Sequence, residues 1–133
     1  MPAPLPPYAV APPAFPFPAL AAHAGQAPLG GQREAVLACY VAARLAHDAL
    51  DGGPGAVPPS LRAARAKGAK AWLAALNLPP SIRTPVGRLI DASAAGDPNA
   101  LRAPMASVIA VTAPFLDPGS RSELDRLAQA LVA

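Results

Sequence analysis

Few side chains in this chain could do covalent or acid–base chemistry, and they sit close together: Cys39, His47 and Asp48. A thiol is a nucleophile when a base stands beside it. In a helix, His47 lies two turns from Cys39, roughly 12 Å along the axis, and cannot be that base. Cys39 is therefore expected to be a small buried hydrophobe. Imidazole next to carboxylate, as in His47-Asp48, is half of a metal site or of an acid–base pair, but such centres need three or four ligands. The other histidine, His23, falls in a different segment. Gly52-Gly53-Pro54-Gly55 has the glycines of a phosphate loop without the following Lys-Ser/Thr and helix N-terminus, so it reads as a chain reversal. Nucleophile, base and oxyanion donors do not converge at any readable spacing. The expectation is a protein that is not an enzyme and that needs no metal or cofactor.

The second chemistry on offer is charge. Between Asp51 and Asp91 there is no acidic residue, whereas Arg62, Arg65, Lys67, Lys70, Arg83 and Arg88 are all cationic. That block requires counter-charge. The acidic residues Asp117, Glu123 and Asp125 could fold back onto it; an acidic partner protein could meet it; or nucleic acid could, with Lys and Arg displacing counterions from phosphates. Base-stacking aromatics and a helix-turn-helix pairing are missing for the last of these.

A third set of candidates precedes the charged block. Residues 1–31 hold nine of the nineteen prolines and no charged side chain. Repeated X-Pro steps disfavour helix and sheet and favour extended polyproline II. Leu5, Tyr8, Phe15, Phe17 and Leu20 are dense for a tail with no local core, which marks them as partner-binding residues. Pro4-Leu5-Pro6-Pro7 and Pro13-Ala14-Phe15-Pro16 match PxxP but lack the basic flank that orients SH3 ligands.

These residues have to be positioned by helices. Residues 32–50 run without Gly or Pro, with apolar residues over most of the circumference, which predicts a central helix. A basic helix follows over 60–77, capped by Ser60 and stopped at Asn77, with Leu61, Ala69, Trp72, Leu73 and Leu76 on its core face. Arg65 projects near Trp72. Thr84-Pro85 and Asp97-Pro98 read as cap followed by first-turn proline, opening helices over 85–95 and 98–113; Pro104 should kink or split the second. Ser120-Arg121-Ser122-Glu123 is a capping box for a last helix over 121–132. Val108–Thr112 could be a strand, but one strand has no partner, so helix is retained.

The predicted fold is all-α: a small bundle or orthogonal array of about five short helices spanning residues 32–133, behind an extended proline-rich arm over 1–31. With 53% AVILMFWYC but only 5% aromatic residues, its core is built from Ala, Leu and Val, and stability should be ordinary or marginal. One cysteine excludes an intrachain disulfide, and no apolar run approaches the roughly 20 residues of a membrane span, so a cytoplasmic location is the default. The Ala, Arg and Pro load suggests a GC-rich, bacterial source. A low charged fraction, 14%, suggests a surface in contact with other protein. The first functional expectation is a non-enzymatic interaction or assembly subunit whose arm and apolar helical surface bind a partner protein, homo-oligomers included. The second is a small nucleic-acid-associated regulator using the helix at 60–77. The third is a secreted effector whose front end serves export.

Overall fold

The computed structural model describes residues 31–50 and 58–132. Five α-helices lie among them: α1 (Gly31–Leu50), α2 (Pro59–Ala75), α3 (Pro80–Ala95), α4 (Pro98–Thr112) and α5 (Pro118–Val132), with one 3-10 turn at Ala113–Phe115 and no strand among the described residues. The all-α expectation holds. The partner-binding candidates Leu5, Tyr8, Phe15, Phe17 and Leu20 lie outside the described residues.

Between Ala35 and Ala46 every residue of α1 except Arg44 is buried. Consecutive residues step about 100° around a helix, so unbroken burial over this length means that the whole circumference is covered. α2, α3 and α4 all pack on α1, as the all-round apolar sequence requires. α3 is the second hub: it meets α1, α2 and α4, and places Ile82, Val86, Leu89 and Ile90 in the core. α5 packs on α4.

Three helix entries differ from those read in the sequence. α2 begins at Pro59, with Pro58 as its extended N-cap and no side-chain cap, so Ser60 is inside the first turn. The Pro58 carbonyl takes the Leu61 and Arg62 amides, both at 3.0 Å, in place of a hydroxyl. α3 begins at Pro80, a full turn before Thr84-Pro85, and Pro85 lies within the helix. That extra turn buries Ile82, worth about 1.5–3 kcal/mol, which offsets the one hydrogen bond Pro85 cannot donate. α5 begins at Pro118, and its cap is Asp117, whose Oδ1 accepts from the Ser120 amide at 2.8 Å. The capping-box residues Ser120 and Glu123 are consequently buried in the helix.

The other boundaries follow the local chemistry. Asp97 caps α4 by accepting from the Asn99 amide at 3.0 Å, with Pro98 in the first turn. Gly96 closes α3 in the left-handed region at φ 68°. α4 continues through Pro104 without splitting and stays helical across Val108–Thr112. There the Thr112 hydroxyl donates to the Val108 carbonyl at 2.6 Å.

Long side chains tie these ends to one another. The Asn77 amide, just past α2, donates to Glu34 Oε2 of α1 at 2.7 Å. Arg83 wraps back onto the Leu76 and Leu78 carbonyls at 3.1 and 2.8 Å, supplying donors to the turn between α2 and α3. Arg102 of α4 donates twice, at 3.2 and 2.8 Å, to the Leu131 carbonyl near the end of α5. Arginine suits this role because its planar fork reaches two acceptors at once.

Candidate docking groove

The chemically capable trio of α1 is tied into packing and side-chain contacts. Cys39 is fully buried, with the Thr112 hydroxyl 3.6 Å from its sulfur, and burial pushes its thiol up to about 12. A thiol held protonated in this way is a poor nucleophile. Asp48 lies between two arginines and an imidazole: Arg44 Nε and Arg65 Nη1 both stand 3.5 Å from its Oδ2, and His47 Nδ1 is 3.4 Å from Oδ1. Arg65 comes from α2, so Asp48 pins the basic helix to α1. Burial also raises the neighbouring Tyr40 hydroxyl above its usual range, opposed by Arg44.

The counter-charge for the basic block comes from Asp48 and Asp91. Lys70 Nζ lies 3.0 Å from Asp91 Oδ2, across from α2 to α3. α5, which carries Glu123 and Asp125, packs chiefly on α4. Arg62 lies against Gly96: a Cβ built on that glycine would stand 2.9 Å from the Arg62 guanidinium carbon. Arg83 is committed to backbone carbonyls. Lys67 and Arg88 are exposed and have no partner among the described residues.

On its core face, α2 buries Ala66, Ala69, Trp72 and Leu73, with Leu76 buried just beyond its end. Leu61 departs from that expectation. It is 41% exposed, the one large apolar side chain so exposed among the described residues.

What the two helices do form is a groove. It has a volume of about 310 Å³ and runs between Lys70, Leu73 and Ala74 on α2 and the Arg83–Asp91 stretch of α3. Its floor depends on Gly87. The position a Cβ would take there is 3.7 Å from Leu73 Cδ2 and 3.8 Å from Lys70 Nζ, so the absent side chain leaves the depression open. Three cations, Lys70, Arg83 and Arg88, and one carboxylate, Asp91, line the groove around an apolar base. The sequence reading had Lys70, Arg83 and Arg88 but not Gly87 or Asp91. A glycine inside a helix is the available signal, since it marks a close approach or a missing side chain.

No protein-family model matches the chain, and no curated protein or solved structure shows significant similarity to it.

Proposed function

We propose that the chain is a non-enzymatic protein-interaction or assembly subunit, with the α2–α3 groove as a docking face and the proline-rich arm as a second contact. The observation that supports this most is the groove itself: an open, part-apolar depression between α2 and α3, rimmed by excess positive charge. Catalytic use finds no support there, because the only hydroxyl on the groove, Thr84, has no histidine among the other lining residues to act on it. No described helix is long and apolar enough to cross a membrane. A cytoplasmic site of assembly, where a lone buried thiol is at home, accords with the single Cys39.

Nucleic acid is the second reading, and the pairing of the cations weighs against it. Arg62, Arg65 and Arg83 are engaged within the fold, which leaves Lys67, Arg88 and the exchangeable Lys70 for phosphates. Three contacts would give a slope of log K on log[salt] of only about −2.7.

Affinity capture with the full chain from native lysate, with and without nuclease, tests the reading. A stoichiometric protein that survives nuclease, and is lost when Leu5, Tyr8, Phe15, Phe17 and Leu20 are replaced together by Ser, is the expected result. Retention of nucleic acid alone would overturn it.

A further inference from the structure

We infer that the α2–α3 groove receives an acidic side chain of an extended partner peptide, its carboxylate held by Arg88 and Lys70 while a neighbouring apolar side chain sits on Leu73, Ala74 and the open floor at Gly87. The inference rests on the protein-interaction reading and names the chemistry of the partner.

Charge complementarity selects the occupant. Arg88 is exposed and uncommitted, and its guanidinium fork matches a carboxylate with two parallel hydrogen bonds. Lys70 is held by Asp91 in a pair whose side chains are 45% and 62% exposed, so it exchanges one carboxylate for another at little cost. Arg83 adds a fixed positive charge, anchored on the Leu76 and Leu78 carbonyls. The groove therefore presents one free donor fork, one exchangeable ammonium and one immobile cation.

The apolar base separates a peptide from a phosphate backbone. Leu73, Ala74 and Gly87 offer nothing to a phosphodiester but accept an aliphatic side chain next to the acidic one. Asp91 repels any continuous polyanion laid along the groove, whereas a single carboxylate can bind at the Arg88 side of it. Trp72, the aromatic of these two helices, is buried and cannot stack on a base.

Selection from a displayed library of random dodecapeptides on the immobilised full chain tests the inference, with 20-bp duplex DNA run in parallel. Expected on the wild type are peptides enriched in Asp or Glu beside an aliphatic residue. Their affinity should fall about tenfold or more with Arg88→Glu, fall severalfold with Gly87→Ala, and stay within twofold with Lys67→Glu, which lies on α2 outside the groove. Arg88 and Lys67 are exposed and a Cβ at Gly87 meets only ordinary contacts, and circular dichroism verifies the fold of all three variants. The same library panned on Arg88→Glu should yield basic peptides, a reversal that damage to the fold could not produce. Neutral or basic peptides on the wild type, or acidic ones indifferent to Arg88 and Gly87, would overturn the inference while leaving a protein-binding subunit. No enriched peptide, with the duplex retained instead, would overturn both.

Discussion

α1 and α2 are alanine-rich helices of 20 and 17 residues, and they treat alanine in opposite ways. In α1, Ala35, Ala38, Ala42, Ala43 and Ala46 are all buried; α2 buries Ala66 and Ala69 but leaves Ala63, Ala64, Ala71, Ala74 and Ala75 exposed. Alanine removes little area from water, so at about 25 cal/mol per Å² it does not decide which way a helix faces. Its neighbours do. In α1 the spaces between alanines carry Val36, Leu37, Tyr40, Val41 and Leu45, distributed around the axis, and the helix is drawn in on every side. In α2 they carry Arg62, Arg65, Lys67 and Lys70 opposite a single stripe ending at Trp72 and Leu73. One helix is core; the other is a wall with an inner and an outer surface, and only a wall can border a groove.

The largest test of that contrast is on the inner surface of α2. Trp72→Ala is expected to cost about 3–5 kcal/mol in urea unfolding, because Trp72 is only 7% exposed. A loss under 1 kcal/mol would mean that α2 is not held by its apolar stripe. The same chemical change on the two helices should then give different answers. Ala42→Leu, in the fully buried α1, is expected to cost about 1–3 kcal/mol through overpacking, whereas Ala71→Leu on exposed α2 should stay within about 0.5 kcal/mol.

Two glycines sharpen the outer surface. Gly96→Ala is expected to destabilise by about 1–2 kcal/mol, since φ 68° disfavours a side chain and Arg62 crowds the position. Gly87→Ala is expected to stabilise by up to about 1 kcal/mol, because a helical residue gains from a Cβ that meets Leu73 and Lys70 at ordinary contact distance. A loss at Gly87 would show that the two helices are closer than described.

The smallest effect separates the buried thiol of α1 from the exposed ionisable groups of α2. With its pKa raised from 9.0 to about 12, folded Cys39 keeps a proton that the unfolded chain gives up. This contribution is complete below pH 9 and is lost as pH rises toward 12, amounting to about 1 kcal/mol by pH 10. Cys39→Ala should flatten that part of the fall relative to its own value at pH 7, measured by urea unfolding across pH 7–10.

The apolar pattern made much of this fold legible: the uninterrupted α1, the stripe of α2, and the Asp97-Pro98 entry all follow from local chemistry. Thr84-Pro85 misled because an equally good proline at position 80 lies one turn upstream, and burial of Ile82 decides between them. Leu61 misled because periodicity gives the face of a residue but not whether a neighbour covers it. The groove was half legible. Its cations stand out as an acid-free block, but their partners Asp48 and Asp91 flank that block in sequence, and helix packing rather than spacing brings them into contact with Arg65 and Lys70. The missing side chain at Gly87 acquires meaning only once α2 lies against α3.

Amide chemical-shift mapping of the full chain, titrated with an acidic–aliphatic peptide selected on it, tests the central claim most directly. The groove account predicts that the largest shifts fall within Lys70–Ala74 and Arg83–Asp91, with Val36–Ala43 of α1 unmoved. Largest shifts on α5, or around Lys67 and Leu61 with Arg83–Asp91 silent, would contradict it.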